Sequence, residues 1–141
     1  MVSEAKLLEP NTHLFRSNFR KYITNGLSLI PDKYGKKLPA IKAWSDYCYK
    51  LPTMDECQSW VNNLEHSNIA LCLGSISGII ALDIDADDKE ILDIIMPLMP
   101  HSPVVKKGAK GETRFFRFTG ETTDILKFNG KVVVEVLSNG K

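Results

Sequence analysis

The stretch from Gly78 to Asp88, GIIALDIDADD, holds the residues with the clearest chemical potential. Ile79 to Leu82 form a short apolar run behind Gly78, which reads as a buried strand. Side chains alternate along a strand, so Asp83 and Asp85 share one face, about 7 Å apart, while Leu82 and Ile84 point into a core. Two carboxylates ending a buried strand are costly to desolvate unless positive charge lies between them. A hard divalent cation, Mg²⁺ or Mn²⁺, meets that need because it prefers oxygen donors. Asp87 and Asp88 have a plainer reading, as the cap and first turn of the next helix. Asp83 comes too early to cap, and it interrupts the apolar run. Another carboxylate, Glu135, stands inside the strand-like run VVVEVL. Burial there demands a partner. That partner is either a Lys or Arg, or the same cation with Glu135 as its third ligand.

Charge is distributed in a way that bears on these acids. The chain carries 18 Lys and Arg against 17 Asp and Glu, so it is no polycation. Lys33, Lys36, Lys37 and Lys42 nonetheless cluster in one segment, and Lys106, Lys107, Lys110, Arg114 and Arg117 in another. An acidic centre between two basic clusters suits metal-assisted phosphate chemistry, although charge runs also serve simply as solvated loops. At 141 residues with 43% hydrophobic composition, the chain fits one globular domain of ordinary size. No apolar run approaches the roughly 20 residues of a membrane span, and no basic-apolar leader opens the chain. The expected location is the cytoplasm. Cys48, Cys57 and Cys72 lack CxxC spacing and are odd in number, so reduced structural thiols are expected rather than a disulfide framework or a zinc site.

The elements that must position these groups follow from periodicity. Residues 1–10 read as a polar lead-in. Phe15, Phe19, Tyr22 and Ile23 mark one helix face over 12–25, with Gly26 as the stop. Leu27 to Ile30 is a short strand ended by Pro31. The basic segment PDKYGKKLPAIKAW follows as a loop, with Trp44 and Tyr47 as anchors to the core. Thr53 and Glu56 form a capping box, and the spacing of Cys57, Trp60, Val61 and Leu64 predicts a helix to about Glu65. Asn68 to Leu73 reads as a strand. The glycine-bounded loop Gly74–Gly78 then predicts a hairpin pairing that strand antiparallel to the Asp83 strand. Lys89 to Leu98 reads as a helix burying Ile91, Leu92, Ile94, Ile95 and Leu98, ended or kinked by Pro97 and Pro100. Pro103 to Lys106 begins a strand, and the basic turn KKGAKGE leads into an aromatic strand from Thr113 to Phe118. On that strand Thr113 and Arg114 face opposite ways. Residues 119–130 read as a polar connection before the strand from Lys131 to Leu137. Asn139-Gly140 is a hairpin signal with no return strand behind it, so the chain reads as a piece of a longer domain.

Four segments together resemble the N-terminal primase–polymerase (Prim-Pol) domain of the archaeo-eukaryotic primase superfamily, of the phage and plasmid replication type. They are GLSLIP with GKKLPAIKAW, NIALCLGSISGIIALDID, PVVKKGAKGETRFFRF and VEVLSNGK. The second carries the family's DxD motif and is the most specific. The resemblance runs from about Gly26 to Lys141. It implies an α+β fold, an α/β unit beside an RRM-like antiparallel or mixed sheet with flanking helices. It also implies catalytic metal ligands at Asp83, Asp85 and Glu135, and Mg²⁺ or Mn²⁺ as cofactor. Lys106, Lys107, Lys110, Thr113 and Arg114 would lie near the incoming nucleotide's phosphates, and Lys36, Lys37 and Lys42 near nucleic acid. The implied partners are (d)NTPs, a single-stranded or primed DNA template, and a fused or associated helicase. Where the family has a nucleotide-binding His, this chain reads Gly111-Glu112-Thr113.

Three functions are therefore expected in order. The first is template-directed primer synthesis or extension by metal-dependent nucleotidyl transfer. The second is a catalytically degenerate nucleic-acid-binding module. The third is a metal-dependent phosphodiesterase or nuclease.

Overall fold

The computed structural model describes residues 10–141, so the lead-in lies, Pro10 aside, outside the described residues. Helix α1 (Leu14–Thr24) buries Phe15 and Phe19. It stops at Gly26, whose φ of +77° lets its N–H reach Ile23 O and that of Leu27 reach Tyr22 O, both at 3.0 Å. Strand β1 (Leu29–Lys33) follows. Within the expected basic loop, Trp44–Cys48 winds into a 3₁₀ turn that buries Tyr47. Helix α2 (Met54–Asn63) has its capping box: Glu56 N–H donates to Thr53 Oγ1 and Thr53 N–H to Glu56 Oε1, each at 3.1 Å. Strand β2 (Ser67–Leu71) then pairs antiparallel with β1. The first core is Phe15, Phe19, Leu29 and Cys57; a second joins Ile30, Tyr47, Cys48 and Cys72. All three cysteines are buried and free.

The second half builds a five-stranded sheet in the order β4-β5-β3-β7-β6. These strands are β3 (Ile79–Asp85), β4 (Val105–Gly108), β5 (Gly111–Arg117), β6 (Asp124–Phe128) and β7 (Lys131–Leu137). Every neighbouring pair is antiparallel, so the fold is α+β. Since β5 opposes both β3 and β4, those two run parallel with β5 between them. Helix α3 (Lys89–Ile95), capped by Asp88, makes the crossover, a split β-α-β unit. It covers one face of the sheet through Ile84, Ile95, Val133 and Val134.

Four expectations are corrected. First, β2 pairs with β1 and not with β3. The Gly74–Gly78 turn does close, with Gly74 N–H on Ile79 O at 2.7 Å, but pairing ends after that bridge. Cys72 N–H turns to Ser28 O, Leu73 N–H to Lys141 O, and both edges of β3 are taken by β5 and β7. Second, residues 119–130 contain a strand, β6. Asn129 and Gly130, with φ of +49° and +77°, make the two-residue hairpin turn into β7. Third, α3 ends at Ile95 and passes into a 3₁₀ turn at Met96–Leu98, because Pro97 can neither donate nor fit against the preceding turn of an α-helix. Fourth, Ile94 and Leu98 are 60% and 73% exposed; the buried stripe is narrower, with Ile91, Leu92 and Ile95 packed on the sheet.

Candidate active site: a carboxylate row beside a lysine-walled cleft

Register places the key side chains. Asp83 on β3 lies directly opposite Glu135 on β7 and, on its other side, opposite Thr113 on β5. Thr113 in turn opposes Lys106 on β4, and Glu135 opposes Ile125 on β6. Cross-strand partners share a face. Lys106, Thr113, Asp83, Glu135 and Ile125 therefore form one row across all five strands, on the face away from α3. Asp85 stands two residues on, on the same face, opposite Gly111. A Cβ on Gly111 would come within 1.9 Å of Ile84 O. The two backbones thus meet too closely for any side chain, and the sheet is left bare beside Asp85.

The Thr113 hydroxyl donates to Asp83 Oδ1 at 2.9 Å. Glu135 is about one-third exposed and has Lys141 Nζ at 3.9 Å. A cleft of about 310 Å³ opens over Asp83, Asp85 and Thr113, walled by Lys106 and Lys110 and, from the loop after β1, by Lys37. Lys110 also pairs with Asp87 at 2.7 Å; that contact holds the Asp87 carboxyl below its ordinary range and the Lys110 ammonium above its own. Asp32, at the same end of β1, is half-buried. Burial raises its carboxyl, and the charge of Lys106 pulls part of that shift back.

The remaining sequence-predicted residues sit elsewhere. Arg114 faces the α3 side. It makes a 2.7 Å ion pair with Glu112 and donates to Pro100 O at 2.8 Å and Met99 O at 3.3 Å. Its guanidinium ties β5 to the loop before β4 and does not reach the cleft. Lys107, opposite Glu112, faces away from the carboxylate row. Lys36 and Lys42 are exposed and line no part of the cleft. Lys37, expected near nucleic acid, stands instead beside the lysines expected near nucleotide phosphates. Asp32 was missed, though its signal was present: an Asp ending an apolar strand, as Asp83 does.

Hard oxygen donors on adjacent positions of paired strands, open to solvent, suit a divalent cation in kind. As the side chains stand, no three or more His, Cys, Asp or Glu among the described residues are drawn together as a ready ion cage. Asp83 is turned to Thr113, and Glu135 lies within reach of Lys141.

An α+β domain with a carboxylate-bearing antiparallel sheet is thus the class. Residues 19–140 match the family described as Bifunctional DNA primase/polymerase, N-terminal (Prim-Pol), and the chain belongs to it. It is a replication domain of the DNA primase/polymerase type, and that type implies DNA and nucleotides as substrates. No individual curated protein gives a significant match. No helix among the described residues is long and apolar enough to cross a membrane.

Proposed function

We propose that this domain transfers nucleotides to a DNA primer by a metal-dependent reaction centred on Asp83, Asp85 and Glu135. One observation carries the reading: Asp83 and Glu135 occupy directly opposed positions on paired strands, beside a cleft walled by Lys37, Lys106 and Lys110. Asp83, Asp85 and Glu135 are the residues that would hold one ion, Mg²⁺ or Mn²⁺. When bound, that ion supplies neutralisation of phosphate oxygens and a lowered pKa for the attacking hydroxyl. Lys37, Lys106 and Lys110 hold the triphosphate as point charges, and Thr113 orients Asp83. The test is primer extension with Mn²⁺ and dNTPs. Wild type elongates a labelled primer, whereas Asp83→Asn falls to background. Undiminished extension by Asp83→Asn removes the carboxylates from the chemistry.

A second reading, a non-catalytic nucleic-acid-binding module, is favoured by Thr113 standing in the row where the resemblance expects His. A hydroxyl brings no charge to a triphosphate. That reading predicts no incorporation by wild type but salt-sensitive binding to single strands.

A further inference from the structure

The dipeptide Asn-Gly occurs three times, at 25–26, 129–130 and 139–140. Glycine has no Cβ to obstruct the approach of its own peptide nitrogen to the asparagine side chain before it. The structure treats the three pairs differently. At the end of α1, Asn25 Nδ2 donates to Lys21 O at 2.6 Å, and Gly26 N–H donates to Ile23 O at 3.0 Å. Both the amide that would leave and the nitrogen that would attack are held. Asn139 Oδ1 accepts from Ser75 N–H at 2.9 Å and from Ser75 Oγ at 3.2 Å, and it lies against Gly74. The turn around it is closed by Lys141 N–H on Ser138 O at 3.2 Å and tied down by Leu73 N–H on Lys141 O at 2.9 Å. Asn129 has none of these restraints. It stands exposed at the tip of the β6–β7 hairpin with φ of +49°, and its side chain has no hydrogen-bond partner among the described residues. A Cβ on Gly130 would meet nothing within 4 Å, so there is room to move. Ring closure needs the turn to open. β6 is paired on one side only, and residues 127–132 are all exposed, so lifting the tip uncovers no buried side chain.

We propose that Asn129 is a site of spontaneous deamidation, through which the β6–β7 hairpin is chemically altered as the protein ages. The Gly130 nitrogen loses its proton and bonds to Asn129 Cγ as the bond from Cγ to Nδ2 breaks. That proton leaves with the amide nitrogen as ammonia. One water then opens the cyclic imide, at Cγ to give aspartate or at the α-carbonyl to give isoaspartate. Nothing is oxidised or reduced. Isoaspartate carries the chain through its own side-chain carbons and so adds a backbone atom. The two-residue turn, with positive φ at both positions, has no place for it, and β6 loosens from β7. Either product also brings a new carboxylate to a cleft of about 330 Å³ that Asn129 lines together with Asp85, Asp87 and Asp88.

The test ages the full chain in mildly alkaline buffer, natively and in urea. Trypsin separates the three pairs into peptides 22–33, 128–131 and 132–141, and mass spectrometry against synthetic isoaspartyl standards reads each one. In the native protein, 128–131 should gain the acid at least about tenfold faster than the other two, and in urea the three rates should converge. Comparable native rates at the three pairs, or slow reaction at 25 and 139 that urea leaves unchanged, would overturn the proposal. The isoaspartyl form, separated from the parent by ion exchange, should show the amides of 124–128 exchanging with deuterium faster while those of α2 keep their rates. Unaltered exchange in β6 would contradict the loosening of the hairpin.

Discussion

Asp83 and Glu135 face each other because strand register puts them there, and like charges so placed repel unless something intervenes. Thr113 and Lys141 intervene in part. Thr113→Val keeps the shape and removes the hydrogen bond to Asp83, so it should cost about 1 kcal/mol of stability, read from urea unfolding. Asp32 allows a pH prediction. Burial raises its folded-state carboxyl above the unfolded value. The folded protein then holds its proton more tightly, and the stabilisation this gives is lost as pH rises through the folded-state value. Asp32→Asn should therefore melt higher than wild type at neutral pH, with the gap closing below about pH 3, where both states of wild type are protonated. A gap independent of pH would show that Asp32 is not titrating in this way. Residue types alone revealed Asp83, Asp85 and Glu135 as odd carboxylates in apolar runs. They could not reveal that Arg114 is spent on Glu112 and two carbonyls, since the carbonyls of Pro100 and Met99 lie 14 and 15 residues away through a loop whose path has no sequence signature.

Elements explain where the sequence was readable. The helices α1 and α2 and the apolar part of β3 carry their own periodicity, and α2 carries its own cap. Thr53→Ala, which removes that cap, should cost about 1 kcal/mol by thermal or denaturant melts. Strand β6 was unreadable because it buries no residue, so no alternation marks it. Its Asn129-Gly130 turn is the signal the sequence does hold, and a second Asn-Gly pair stands at 139–140. That second pair does other work: the Asn139 side chain accepts from Ser75 N–H at 2.9 Å, and its oxygen together with the Asn139 backbone fills the space over Gly74. The choice of β1, rather than β3, as partner of β2 is a long-range competition for strand edges that local pattern cannot express. Gly111 marks the tightest approach between elements. Gly111→Ala should push β5 from β3 beside Asp85, costing about 1–3 kcal/mol and lowering primer extension, with both read on the same preparation. A stable, fully active Gly111→Ala would mean the strands have slack there.

At the scale of the molecule, the two sheets meet around the cleft. Lys37 reaches it from the loop after β1 and Lys106 from β4, and the C-terminal turn is tied to the segment after β2 through Leu73 N–H on Lys141 O at 2.9 Å. The net charge of +1 hides this polarity: acids at the centre, lysines on either flank. Affinity for single-stranded DNA should accordingly fall steeply with salt, and Lys37→Ala should reduce Mn²⁺-dependent dNTP binding more than DNA binding. Equal losses of both would return Lys37 to the nucleic-acid role read from sequence. The central claim is that three acids from β3 and β7 share a divalent ion. A Mn²⁺ titration followed by electron paramagnetic resonance tests it most directly, comparing wild type with a folded Asp83→Asn, Asp85→Asn, Glu135→Gln variant. Saturable binding by wild type, weakened at least about tenfold in the variant, is the predicted result; equal affinity in the two proteins would contradict it.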